Sequence, residues 1–361
     1  MLCHRIKKRF RHLQKWAKRL GMEAFRLYDR DIPEIPLVLD LYGDAVAGAL
    51  YKRPYEKDEN EENDWLSVMK AAIVDALQID PSHVFLKQRQ RQRQQGTSLK
   101  RAQYEKSGDL CFTRTVSENG ILFKVNLSDY LDTGLFLDRR IMRILVRGEA
   151  SGKRVLNLFS YTGSFSVYAA AGGAASTDSV DLSNTYQSWA KDNFSLNGFN
   201  AETAQLKQRA QLKKLDRGKI RSLTAAPGAI GKNIPHTLIR ADVGAFLQQA
   251  ITERRCWDMI ILDPPAFSNS TMAPADFDLQ RDCEDMIIKC LNILSPAGKL
   301  WFSASARSFK TNAEELEMAL NAASAVCGFP GIKVTDISKK IVDEDFRGRK
   351  MPGAFVVEKT I

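Results

Sequence analysis

Leu2, Ile6, Phe10, Leu13, Ala17 and Leu20 recur at steps of three and four, with Arg and Lys on the intervening positions. This spacing predicts an amphipathic helix from Leu2 to Gly21. From Phe25 to about Lys124 the apolar runs shorten. FRLYD, PLVLDLYG, VAGALYK and HVFLK read as strands, and WLSVMKAAIVDAL (65–77) reads as a helix. LCFTRT and ILFKV flank Ser117-Glu118-Asn119-Gly120, where Asn-Gly between apolar runs predicts a hairpin turn. These signals describe a basic N-terminal helix (1–24) and a small α+β domain (25–125). Lys57–Asp64 reads as an acidic, polar loop. Gln88–Lys106 is too polar, and too interrupted by glycine, for a core element.

Past residue 126 the pattern changes to buried strands alternating with helices. The predicted order is strand 154–159, helix 164–171, strand 175–181, helix 183–196, strand 237–242, helix 243–254 and strand 257–262. Helix 276–293, strand 299–303, helix 313–326 and a terminal strand pair near 332–336 and 354–358 follow. Alternation of this kind implies an α/β fold with a parallel sheet and helices on both faces. The stretch 203–236 is a long, basic connection, read as an insertion.

Candidate chemistry clusters where strands end. Arg154–Ala171 (RVLNLFSYTGSFSVYAAA) runs from a strand through a tight turn with one firm glycine, Gly163, into a helix. Such a turn lets backbone approach a ligand and presents a helix N-terminus. One glycine does not make a dinucleotide fingerprint, and no G-x-x-x-x-G-K-[ST] loop is present. Eighteen residues on, Asp181 ends the second strand, where a carboxylate can accept both protons of a ribose diol. Asp242 ends the third strand, where a side chain can meet an adenine edge. The fourth runs into Asp263-Pro264-Pro265-Ala266-Phe267. The two prolines stop the ladder and stiffen the loop, which suits a flat substrate held for attack.

Charge narrows the partner. Of the formal net +10, residues 1–30 carry +8, residues 83–106 carry +6 and residues 205–240 carry +8, so the rest is acidic. Clustering of this kind is the footprint of a phosphate-backbone partner. Arg89, Arg91, Arg93, Lys100 and Arg101 are the candidate RNA-binding residues, on a loop that would order on RNA. No apolar run approaches a membrane helix. The six scattered cysteines frame neither a disulfide scaffold nor a metal site, which fits a reducing, cytoplasmic location.

Six stretches carry a resemblance: FRLYDRDIPE (25–34), NLSDYLDTGLFLDRR (126–140), LNLFSYTGSFSV (156–167), VDLSNTY (180–186), LDPPAFSNS (262–270) and DFDLQRD (276–282). Together they resemble Rossmann-like class I S-adenosylmethionine methyltransferases. The match is closer to the rRNA large-subunit methyltransferase K family, usually the C-terminal half of a bifunctional K/L protein, and covers nearly the whole chain from about Ile6. The resemblance implies a seven-stranded sheet with an antiparallel last strand in a methyltransferase domain over 126–361. It implies S-adenosyl-L-methionine as cofactor, large-subunit rRNA or its precursor particle as partner, and methylation of 23S rRNA at guanine N7. The residues it implicates at the cofactor are Phe136, Asp138 and Arg139 for the methionine end, with Asn157, Phe159, Ser160, Tyr161, Thr162 and Gly163. Asp181 with Leu182, Asp242 with Val243, and Asp263 complete that set. Asp263, Pro264, Pro265 and Phe267 form the catalytic loop, with Phe267 stacked on the base, and no metal is expected.

The Asp-Pro-Pro-Phe loop suits N7 and N2 of guanine alike; the resemblance selects N7. Cytosine-C5 enzymes need a cysteine to add to the pyrimidine, typically within Phe-Ser-Cys-Ser. This chain has Phe302-Ser303-Ala304-Ser305 there, and Cys283 and Cys290 read as packing residues on one helix. A non-catalytic RNA-binding module would need only the basic clusters and leaves Gly163, Asp181 and Asp263 unexplained.

Overall fold

The N-terminal periodicity is realised as α1 (Leu2–Arg19), with Leu2, Ile6, Leu13 and Ala17 buried on one side. It packs on a four-stranded sheet of β1 (Ala24–Asp29), β2 (Leu37–Tyr42), β3 (Ala45–Tyr51) and β4 (Val84–Arg89), in that spatial order. β1 to β3 pair antiparallel and β3–β4 pair parallel. A parallel pair needs a crossover, which α2 (Glu59–Leu77) supplies. The acidic stretch expected to be a loop is therefore mostly helix. Asp58 accepts the Glu61 N–H as N-cap, and the glutamates that follow suit the positive end of the helix. β5 (Thr113–Glu118) and β6 (Ile121–Asn126) form the expected hairpin. Asn119 (φ 52°) and Gly120 (φ 79°) are both left-handed, as a two-residue type I′ turn requires.

The computed structural model describes residues 1–51, 58–89, 110–206, 235–268, 277–304, 309–327, 331–349 and 351–360. They divide into two compact units, Met1–Arg140 with Asp343–Gly348, and Ile141–Val342 with Arg349–Ile361. The first unit thus extends past the expected boundary at 125 and takes in a late segment of the chain. Arg91, Arg93, Lys100, Arg101 and residues 207–234 of the insertion lie outside the described residues; Arg89 ends β4.

Arg140 explains both extensions. Its guanidinium contacts Glu118 (3.2 Å), Asp343 (2.7 Å), Asp345 (3.0 Å) and the Ala24 carbonyl (2.7 Å), with the Trp16 ring at 5.4 Å. Arg140, Glu118 and Asp345 are all almost wholly buried. Burial drives the Asp345 carboxyl upward while Arg140 holds it down. Arg26 donates its N–H to Asp345 and lies over the Phe346 ring. Charges this deep are tolerated only with partners on all sides.

The second unit opens with α3 (Arg140–Glu149) and continues through β7 (Arg154–Leu158), α4 (Ser164–Ala171), β8 (Ser176–Asp181), α5 (Asn184–Leu196) and β9 (Ala201–Gln205). Next come β10 (His236–Arg240), α6 (Val243–Thr252), β11 (Trp257–Leu262), β12 (Phe267–Ser268) and β13 (Phe277–Asp278). α7 (Leu279–Asn292), β14 (Leu294–Ser303), α8 (Ala313–Cys327), β15 (Ile332–Asp336) and β16 (Ala354–Lys359) complete it. The sheet order is β15-β16-β14-β11-β7-β8-β10-β9, parallel except at β16. It has eight strands where seven were expected. Ala201–Gln205, whose last three residues read as the start of the insertion, pairs in register with β10 and adds an edge strand.

Residues alternating along each central strand serve opposite faces. Leu156, Leu158, Ile260 and Leu262 face the core under α6 and α7, while Val155, Met259 and Ile261 face that of α3 and α4. Both faces are buried, which is why these strands read as continuous apolar runs. Cys283 and Cys290 sit in the first core, as the spacing predicted. Among the described residues no helix is long and apolar enough to cross a membrane.

Arg140→Ala strands two buried carboxylates. We expect a stability loss of about 3–5 kcal/mol in urea unfolding; a loss under about 1 kcal/mol would show that the cluster is dispensable to the fold.

Candidate functional site at the carboxyl edge of the sheet

Chain order reverses between β7 and β11. From β7 the sheet grows through β8 to β10, and from β11 it grows the other way through β14. In open α/β sheets the crevice outside the strand ends at such a point is where ligands bind. The turns after β7, β8, β10 and β11 all emerge there, and they carry most of the candidate residues.

The β7–α4 turn is the tightest piece. Phe159 (φ 57°), Tyr161 (φ 50°) and Gly163 (φ 75°) are all left-handed. For the two aromatic residues this conformation costs on the order of 1–2 kcal/mol each, so neighbouring contacts must hold it. Ser160 N–H donates to the Val180 carbonyl (2.9 Å) and Gly163 N–H to that of Ser160 (2.8 Å). The Asn193 amide donates to the Thr162 carbonyl (2.9 Å). Tyr161 meets the Tyr186 ring edge-on at 4.5 Å, and Phe159 packs on Phe277 at 5.7 Å. A Cβ at Gly163 would come within 3.0 Å of the Ala190 Cβ. Backbone and packing both demand glycine there. α4 begins at Gly163 without a side-chain cap, so its first amides are available to a ligand.

Asp181 joins this turn to the next. Its Oδ2 accepts Tyr161 N–H and its Oδ1 accepts Ser183 N–H, both at 2.9 Å. Ser183 caps α5 through its own hydroxyl, so Asp181 is not the helix cap. Burial pushes the Asp181 carboxyl up to about 6, against the pull of those backbone N–H groups. The Gln187 amide ties the Asp181 carbonyl (3.2 Å) to that of Ile239 (3.0 Å), fixing the ends of β8 and β10 together. The half-buried Leu182 gives its carbonyl to Arg240 (3.2 Å). Asp242 caps α6 by accepting Ala245 N–H (2.8 Å), and Val243 behind it is buried.

Asp263 is half-buried and accepts the Ser303 hydroxyl at 2.6 Å. Pro264 is buried, Pro265 half-buried and Phe267 is 41 % exposed. β12 folds back on β13, placing Phe267 opposite Asp278. Asp278 in turn caps α7 by accepting Arg281 N–H.

Within the second unit the structure does not bring every candidate to that edge. Asn157 is fully buried; its amide donates to Ser166 Oγ (2.9 Å), which also receives the Ser179 hydroxyl (2.7 Å). It braces β7 against α4 and β8 from within. Phe136, Asp138 and Arg139 belong to the other compact unit, where Arg139 pairs with Asp138 at 3.0 Å and Phe136 is exposed. Sequence reasoning missed Ser303, Asn193, Gln187 and Phe277. Ser303 lies in a stretch whose sequence signal is a missing cysteine, which says nothing of its hydroxyl.

The residues present fit S-adenosylmethionine. Asp181 offers acceptors to a diol, the open α4 N-terminus suits a carboxylate, and Ser160 Oγ is buried with no hydrogen-bond partner among the described residues. Comparison with known proteins agrees. A family model described as S-adenosylmethionine-dependent methyltransferase matches residues 35–232. Ribosomal RNA large subunit methyltransferase K of Neisseria meningitidis serogroup B is 41% identical over 349 residues, 97% of this chain and 84% of its own length. Ribosomal RNA large subunit methyltransferase K/L of Pseudomonas fluorescens is 39% identical over 96% of this chain, which spans only 39% of that longer relative. Among solved structures, a protein assigned as a methyltransferase and crystallised with SAH matches 98% of this chain and 81% of its own (TM-score 0.64, 24% identity). An S-adenosylmethionine-dependent methyltransferase from Agrobacterium tumefaciens matches 89% and 86% (TM-score 0.53, 20% identity). At these identities the solved structures speak for the fold.

Gly163→Ala adds crowding against Ala190 to left-handed strain. Gly152→Ala adds the strain alone, since a methyl group at Gly152 (φ 70°) would have nothing within 4 Å. Thermal unfolding should show a loss of about 1–2 kcal/mol for Gly152→Ala and a larger one for Gly163→Ala. Equal losses would mean that α5 does not press on the turn.

Proposed function

Because this chain belongs to the ribosomal RNA large subunit methyltransferase K family of S-adenosylmethionine-dependent methyltransferases, we propose that it methylates N7 of a guanine in 23S rRNA. The observation that carries the reading is identity of 41% sustained over 97% of the chain and 84% of the K relative. The turns after β7, β8, β10 and β11 supply the matching site.

Bound S-adenosylmethionine supplies a methyl group activated by the sulfonium that it leaves. The chain's own work is positioning and electrostatics. Asp181 would hold the ribose hydroxyls, Asp242 with Val243 would meet the adenine, and Ser160 to Gly163 with the first amides of α4 would hold the polar end. Phe136, Asp138 and Arg139 keep the methionine-end role assigned by resemblance, with Arg139 answering the carboxylate. Guanine N7 already carries an in-plane lone pair, so no general base is needed, and attack leaves the ring positively charged. Asp263, oriented by Ser303, offsets that charge. Pro264 and Pro265 hold its loop rigid, and exposed Phe267 stacks on a base drawn out of its helix.

Guanine N2 would use the same loop to accept an amine proton, and product analysis separates the two. A cytosine-C5 mechanism lacks its nucleophile at the expected position, where Ala304 is buried. Both cysteines of α7 are buried in the core, which pushes the Cys283 thiol up to about 11.

The direct test is incubation with unmodified 23S rRNA and labelled S-adenosylmethionine, followed by nucleoside analysis. 7-Methylguanosine supports the proposal; N2-methylguanosine or methylcytidine overturns it. Asp263→Ala is expected to lower kcat on the order of 10²-fold, the scale for losing one electrostatic stabiliser, with cofactor affinity retained. Unchanged turnover would remove Asp263 from the site.

Cofactor binding should also follow the Asp181 carboxyl. Its folded value lies above the ordinary carboxylate value, so protonation stabilises the free protein, and that contribution is lost as pH rises through about 6. The diol needs the carboxylate. Affinity for S-adenosylmethionine should therefore be level near pH 7.5 and fall below pH 6, approaching about tenfold per pH unit. A flat titration from pH 7.5 to pH 5 would contradict the role given to Asp181.

A further inference from the structure

α1 carries no acidic residue, and its cations fall into two sets. Those on the flanks have partners: Arg5 pairs with Asp31 (2.7 Å), Lys7 with Asp75 (3.1 Å), His12 meets Glu344 (2.9 Å), and Arg9 donates to the Asp345 carbonyl (2.9 Å). The second set comprises Lys8, Arg11, Lys15, Lys18 and Arg19, with His4 ahead of them. All are exposed, and among the described residues none pairs with a carboxylate. At 100° per residue these six fall within a band about 100° wide, opposite Leu2, Ile6, Leu13 and Ala17. A solvated surface helix ordinarily mixes signs at i, i+4. Attraction to the negative end of the helix accounts for Lys18 and Arg19 in the last turn, but not for Lys8, Arg11 or Lys15.

We propose that this stripe is the docking surface for the phosphate backbone of the RNA substrate, a deepening that rests on the rRNA methyltransferase reading. From Lys8 to Arg19 the helix rises about 16 Å, the length on the order of five phosphates of one strand. The stripe offers five cations over that length. From Lys8 to Arg19 it presents no aromatic side chain and reads no base, so it positions the RNA without selecting sequence. A membrane surface is the competing anionic partner. Interfacial helices bury their apolar face among lipids, and the apolar face of α1 is already committed to the sheet beneath it.

The test combines Lys8→Gln, Arg11→Gln, Lys15→Gln and Lys18→Gln in the full chain and measures binding to deproteinised 23S rRNA across a salt series. The stripe predicts affinity lower by on the order of 10²–10³-fold at 0.1 M salt, and a log–log salt slope shallower by about 3. S-Adenosylmethionine affinity should equal that of the wild type, which certifies the fold. Lys8→Arg with Lys15→Arg and Lys18→Arg should bind RNA as the wild type does. Arg5→Gln with Lys7→Gln, on the paired flanks, should leave the slope unchanged. An unaltered slope in the fourfold variant, with methylation intact, overturns the stripe and spares the methyltransferase reading. A wild type that neither binds nor methylates rRNA overturns both. Binding of phosphatidylserine vesicles through the stripe, with RNA affinity unaffected, overturns it in favour of a membrane.

Discussion

Three left-handed residues within five, Phe159, Tyr161 and Gly163, are the constraint on which the second unit turns. They let β7 reach α4 in so few residues that the first turn of the helix stays open at the sheet edge. Two of them are aromatic and would relax to ordinary backbone if released. α5 prevents this from one side, with Ala190 against Gly163 and Asn193 on the Thr162 carbonyl. Asp181 prevents it from the other, holding the Tyr161 N–H. A carboxylate tied in this way is rigid, half-buried and pushed toward protonation. The contacts that shape the turn therefore also orient the carboxylate proposed to hold the cofactor.

Buried charge is used differently in the two units. At Arg140 four acceptors, three of them carboxylates, surround one guanidinium inside the protein. Such a cluster adds specificity of assembly, pinning residues 343–348 to the first unit across more than 200 positions of sequence. At the sheet edge Asp181 and Asp242 accept backbone N–H groups, and Asp263 accepts a hydroxyl. Donors of this kind orient a carboxylate. An oriented negative charge is what a polar or cationic ligand requires.

How far this was legible in the sequence follows from how local each signal is. α4, β11 and the Asn-Gly hairpin were readable because periodicity, glycine and proline act within a few residues. The start of α2 was missed because acidic residues resemble a loop until their value at a helix N-terminus is weighed. β9 was missed because Ala201–Gln205 has little apolar character and becomes a strand by pairing with β10. Gly163, Asp181 and Asp263 were readable from strand-end spacing. Their partners were not: Ser303 lies 40 positions from Asp263, Asn193 31 from Thr162, and Asp345 205 from Arg140. Pairings of that span are decided by the packing of whole elements, and a pattern in one chain carries no trace of them. Asn157 shows the converse, a motif position whose amide serves the interior.

The charges also constrain how a nucleic acid can be held. Asp181, Asp242 and Asp263 gather at one edge of the sheet, and a phosphate backbone laid across them would be repelled. The net +10 must therefore act elsewhere. On the docking proposed above, backbone attraction, long-ranged and indifferent to sequence, falls to basic surfaces such as α1. On the N7 reading proposed above, an uncharged base enters among the carboxylates, which offset the positive charge it gains on methylation. Separating affinity from chemistry in this way lets binding draw on many phosphates without stabilising the ground state at the reacting atom.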